Sequence, residues 1–188
     1  SYRNNIFLIS ILLTAGFAVY AFNLNNPLFW DDTDWIVNNP FVHSFSLENL
    51  KNWFTKNTLA GIGLKSNYYR PFLFFTFASN YVLHGSSPVG YHLINNLLHI
   101  ANGFLVFSLL FLVFRKKFIP FFVSLLFLLH PLQMEAVAYV AGRGDPLNVF
   151  FMLLALLLFY RAEQKNLSWK KPARFLTLPL LILALLSR

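Results

Sequence analysis

Three acids stand almost together in Phe29-Trp30-Asp31-Asp32-Thr33-Asp34-Trp35, directly after a stretch from Ile6 to Trp30 that carries no charge. Carboxylates beside hydrocarbon lose hydration and repel one another, which raises the proton affinity of at least one of them. A general base or a cation site would need that property. A plainer reading is that they cap a short interfacial helix, since Asp is a favoured N-cap. Arg70, in Asn67-Tyr68-Tyr69-Arg70-Pro71, and Glu135, Arg143 and Asp145, in the run from His130 to Pro146, are further candidates. Planar guanidinium groups hold phosphate bidentately. Against this, Pro71 suits the first position of a helix, Arg70 could simply meet lipid headgroups, and Gly142, Gly144 and Pro146 could form a turn with two solvated charges. His92 and His99 share a helix face with no Asp, Glu or Cys between them, so hydrogen bonding within the bundle is favoured over metal binding. No metal site is expected.

Elements that could position these groups follow from composition. Hydrophobic residues make up 57% and charged residues 12%, about half the charge of a soluble domain. The net charge of +8 gathers at the ends of apolar runs, in Arg115-Lys116-Lys117 and between Arg161 and Arg174. This pattern marks membrane topology and excludes a nucleic-acid face. Without cysteine there is no disulfide framework and no thiolate chemistry. The chain begins without Met and ends just after an apolar run, so it reads as a fragment of a longer polytopic protein, with no separate targeting peptide.

The expected fold is all-α, a polytopic membrane helix bundle with spans near 6–25, 91–114, 118–131, 146–161 and 175–188, and an external loop over 26–90. Ser46 caps an interfacial helix over 47–54, and Arg70-Pro71 opens a helix over 72–83. That second helix decides the topology. At about a dozen residues it is too short to span and reads as re-entrant or interfacial. Arg3, Arg115 to Lys117 and Arg161 to Arg174 then share one side, with the N-terminus cytoplasmic, and the acids face the other. If the helix did span, Lys51, Lys56, Lys65 and Arg70 would join the basic side. Lys/Arg counting alone prefers that rival; segment length and the resemblance below oppose it.

The order of motifs resembles the GT-C-fold glycosyltransferases that use polyprenyl- or dolichyl-phosphate sugars, in particular the transmembrane O-mannosyltransferases with tetratricopeptide repeats and their bacterial relatives. The matching pieces are Phe29-Trp30-Asp31-Asp32 with Asn38-Asn39, Tyr69-Arg70-Pro71-Phe72, Gly90-Tyr91-His92-Leu93-Ile94-Asn95 with Leu98-His99, His130-Pro131 with Glu135-Ala136-Val137, and Gly142-Arg143-Gly144-Asp145. Gln133-Met134 and Pro146 depart from the usual His-Thr and Leu, which bears on acceptor preference. The resemblance implies an inverting transferase moving a mannose-like sugar from a lipid-phosphate donor to a protein or glycan hydroxyl on the external or luminal face. It implies Asp31 as base and Asp32 as a second acid that orients the acceptor, with Arg188 at a basic position near the end of a later helix. It also implies an integral multi-pass protein of a bacterial inner membrane or the endoplasmic reticulum, with many more spans than lie here, so this stretch alone is expected to be inactive.

The chemistry is compatible with that implication. Such a transfer needs a base for the acceptor proton and a cationic site for the departing phosphate. Arg70, Arg143 and Arg188 are the candidate phosphate ligands, and Glu135 and Asp145 could hold sugar or acceptor hydroxyls. A monophosphate leaving group can be neutralised by arginines, so no cofactor is required; a divalent cation between the acids is the less favoured arrangement. The alternative is a transporter or channel fragment with an acidic cation or proton site, but a transporter places its ionisable groups within its helices, near the midplane. A non-catalytic scaffold would leave the motif order unexplained.

Overall fold

The computed structural model describes residues 2–165 and 172–188, and within them the protein is all helical. The middle of the basic run between Arg161 and Arg174 lies outside the described residues. In chain order the α-helices are α1 (Tyr2–Tyr20), α2 (Leu47–Thr55), α3 (Pro71–His84), α4 (Pro88–Phe114), α5 (Phe118–Leu129), α6 (Met134–Ala138), α7 (Gly144–Gln164), α8 (Pro172–Phe175) and α9 (Thr177–Leu185). Short 3-10 and π turns join several of them.

Three segments are long and apolar enough to cross a membrane: Ile6–Asn25, Pro88–Phe114 and Ala141–Gln164. A fourth candidate differs from the sequence expectation. In place of a simple span over 118–131, Phe118–Leu129 and Pro131–Ala138 form a pair bent by 52°. Pro131 supplies the break, because it has no N–H to continue the ladder. The His130 ring nitrogen then accepts from the Leu132 N–H and starts the next turn. The last described helices, Pro172–Leu185, are apolar but shorter than a span.

α3 has 14 residues, about 21 Å of helix against about 30 Å of hydrocarbon. It packs against the loops on either side of α2. Leu73, Phe74, Phe77 and Ala78 join Trp35, Ile36, Val42, Trp53 and Tyr91 in one buried core. Ser46 caps α2 by accepting from the Asn49 N–H, and Trp53 of α2 donates to the Phe41 carbonyl, so α2 and the loop before it are tied into that core. One glycine here is required by close approach. A Cβ on Gly61 would collide with Oδ1 of Asn39, whose side chain is fixed by the Phe41 N–H and the Thr58 carbonyl.

The long helix α4 ties the spans together through a polar face. His92 bonds the Asn26 carbonyl, Asn96 the Tyr20 carbonyl and Asn23, His99 the Leu128 carbonyl, and Asn102 the Pro146 carbonyl. Most of these carbonyls lie where a helix ends or bends. Freed backbone groups at membrane depth must find protein partners, and α4 carries them at helical spacing. His92 and His99 are therefore bundle residues, as the sequence suggested.

Candidate functional site

Three separated segments close around one cleft of about 470 Å³ at one end of the bundle. The loop after the first span contributes Asp31 and Trp35. The segment before α3 contributes Tyr68 and Arg70. The stretch from Leu132 to Asp145 contributes Glu135, Ala136, Tyr139, Gly142 and Asp145. Asp31, Arg70, Glu135 and Asp145, singled out from sequence, thus share one cavity.

Arg70 is held by stacking. Its guanidinium lies 4.5 Å from the Tyr68 ring centroid and 5.4 Å from that of Trp35, while Nε donates to the Arg188 carbonyl at 2.5 Å. Burial draws its pKa below the ordinary arginine value, and nearby Asp145 opposes that shift. Arg188 reaches Asp145 at 3.5 Å in an exposed ion pair, so both arginines stand beside the same acid. Arg70 is pre-positioned by aromatic faces and carries donors suited to an oxyanion.

Asp31 and Asp32 separate in role. Asp32 is fully buried and does not line the cleft. Its carboxylate accepts the Ala141 N–H at 2.6 Å and the Phe29 N–H at 3.3 Å, pinning the loop after the first span to the loop before α7. Burial pushes its pKa above the ordinary carboxylate value, against the lowering effect of those backbone donors. Asp32 is built to hold the loop, and direct contact with an acceptor does not follow from its position. Asp31 lines the cleft beside Tyr139, whose phenol is pushed above its ordinary value by burial first and by Asp31 second.

Arg143 is placed differently from the sequence expectation of a phosphate ligand. It is fully buried and outside the cleft lining. Nε donates to Asn95 Oδ1 at 2.7 Å, and the terminal nitrogens donate to Asn80 Oδ1 at 2.6 Å and to the Tyr91 carbonyl at 3.0 Å. Phe77 and Tyr91 flank the guanidinium. It locks α3, α4 and the loop before α7 together, with Asn95 also donating to the Val137 and Tyr139 carbonyls. Sequence reasoning missed Tyr139 and Trp35 as cleft residues. Their signal was available, since both are amphipathic aromatics within runs already chosen for their charges.

Among the described residues, no three His, Asp or Glu side chains are grouped so as to hold a metal ion.

Fold and site together define an all-α membrane protein with an acid-and-arginine cleft at one end of its bundle. The chain is similar in sequence to proteins named as protein O-mannosyl-transferases. It is 33% identical over 161 residues to protein O-mannosyl-transferase F38B6.6 of Caenorhabditis elegans, a match covering 83% of this chain and 23% of that protein. It is 33% identical over 158 residues to human TMTC1, covering 81% and 18%, and 34% identical over 169 residues to human TMTC3, covering 85% and 18%. The resemblance read from the motifs is thereby borne out, and the chain spans about a fifth of the length of these curated relatives. No family model and no solved structure matches it.

Proposed function

We propose that this chain is the site-bearing segment of a longer GT-C-type glycosyltransferase, which moves a mannose-like sugar from a polyprenyl- or dolichyl-phosphate donor to an acceptor hydroxyl on the external or luminal face, with inversion. The observation that carries the reading is the convergence of Asp31, Glu135 and Asp145 with Arg70 in one cleft, in a relative of named O-mannosyl-transferases. The acceptor hydroxyl loses its proton to the Asp31 carboxylate as its oxygen bonds the anomeric carbon. The bond from that carbon to the phosphate oxygen breaks, and the electron pair leaves with the phosphate. Arg70, with Arg188 beside it, receives the charge that builds on the leaving group. Glu135 and Asp145 hold sugar or acceptor hydroxyls. Asp32 and Arg143 act at one remove, by holding the loops that form the cleft.

The test is sugar transfer in membranes containing the full-length protein. Asn has nearly the shape of Asp but accepts no proton, so Asp31→Asn should lower transfer by about a hundredfold or more while the protein stays folded by thermal shift. Transfer at the parental rate would remove Asp31 as the base.

A further inference from the structure

A second cavity opens off the cleft. It is an apolar groove of about 600 Å³, walled by Phe29, Trp30, Pro131 and Met134. Leu132, Glu135 and Tyr139 form the wall that it shares with the polar cleft. Trp30 is 83% exposed and Leu132 81%, large apolar side chains presented beside an acid site. Trp30 also holds φ at 53°, a left-handed conformation that residues with a Cβ rarely adopt and that is sustained at functional sites.

Resting on the transferase reading, we propose that this groove is the acceptor subsite, taking apolar side chains of a protein acceptor next to its reacting hydroxyl. The cleft has two ends, and they decide the matter. Leu132, Glu135 and Tyr139, the last beside Asp31 in the cleft, lie on the groove side; Tyr68, Arg70 and Asp145 do not touch the groove. In an in-line displacement the nucleophile enters opposite the leaving phosphate. The base end therefore receives the acceptor, and the arginine end the phosphate. A prenyl chain is tethered to that phosphate, so it must leave from the arginine end. Pro71, the residue after Arg70, walls an apolar hollow of about 260 Å³ together with Phe72, Phe75 and Leu186. The lipid thus has a hollow at its own end, and the groove beside Trp30 has no cation to hold a phosphate.

The test uses the full-length protein with a polyprenyl-phosphate-mannose donor and paired peptides whose Ser or Thr is flanked by Leu and Val or by Asp and Lys. Trp30→Ala and Leu132→Ala should each raise KM for the apolar-flanked peptide about tenfold, leave donor KM unchanged, and erase the preference over the charged-flanked peptide. A rise in donor KM instead would assign the groove to the prenyl chain. An unchanged peptide KM would show that the groove is covered by another part of the protein; either result overturns the proposal. Photo-crosslinking from Leu132→p-benzoylphenylalanine keeps the two readings separable because it needs no turnover. Capture of the apolar-flanked peptide by a protein that transfers no sugar would keep the groove as a peptide site but sink the transferase reading, and with it the acceptor role. Transfer without capture would sink the groove alone.

Discussion

Arg143→Ala should unfold the cleft rather than merely weaken donor binding. The guanidinium supplies three short hydrogen bonds, to Asn95 Oδ1 at 2.7 Å, Asn80 Oδ1 at 2.6 Å and the Tyr91 carbonyl at 3.0 Å, all in buried surroundings. Truncation leaves the two amide oxygens without these donors, at about 1–3 kcal/mol each, takes a second donor from the Tyr91 carbonyl, and opens a void between Phe77 and Tyr91. Because Asn95 also bonds the Val137 and Tyr139 carbonyls, the losses are coupled, and a total of about 3–5 kcal/mol is the reasonable scale. For a domain of this size that is a drop in thermal midpoint on the order of 10 °C. Arg143→Lys should fall between the two, since one ammonium cannot span acceptors on α3 and α4 together. The assay is thermal unfolding in detergent, paired with donor KM on whatever folded protein remains. A lysine variant with parental stability and a donor KM raised tenfold would refute the structural role and return Arg143 to the phosphate site.

Asp32 supplies a pH test. Its folded-state pKa is raised by burial, so its stabilising contribution is complete below the ordinary carboxylate value of about 3.9 and is lost as pH rises through the raised value. The parental midpoint minus that of Asp32→Asn should therefore fall from acid towards neutral pH; a difference that climbs over that range would refute the assignment. Because the chain has no cysteine, Ser66→Cys and Leu132→Cys should react with an impermeant thiol reagent from one side of the membrane and Lys116→Cys only from the other. Labelling of Lys116→Cys from the side of Ser66→Cys would show that α3 crosses the bilayer.

Much of the frame was legible because membrane helices follow simple rules of length and charge. The segments near 6–25, 91–114 and 146–161 correspond to candidate spans, and Ser46 and Pro71 stand where α2 and α3 begin. Charge alone could not sort the site. Arg70 and Arg143 read alike in sequence, each an arginine beside glycine or proline in an external run. What separates them is what surrounds each side chain: Tyr68 and Trp35 present ring faces to Arg70 at the cleft, whereas Asn80 and Asn95 present amide oxygens to Arg143 inside the bundle. Asp31 and Asp32 differ for the same reason. Adjacent residues near the start of a helical turn point different ways, and only the approach of the Ala141 N–H, 109 residues on, decides which carboxylate is consumed by structure.

The polar face of α4 carries the wider lesson. Asparagines and histidines inside an apolar span are expensive, and a functional site is the default reading of ionisable groups there. Here His92, Asn96, His99 and Asn102 each meet a backbone carbonyl contributed by another segment. On the proposed reading the chemistry lies at the end of the bundle, in the cleft that Asp31 and Arg70 both line, and the interior polarity holds the segments that put them there. A transporter would reverse that division, with its ionisable groups lining a path through the spans and loops left to connect them. The proposed transferase reading rests on that distribution of partners more than on the number of polar residues.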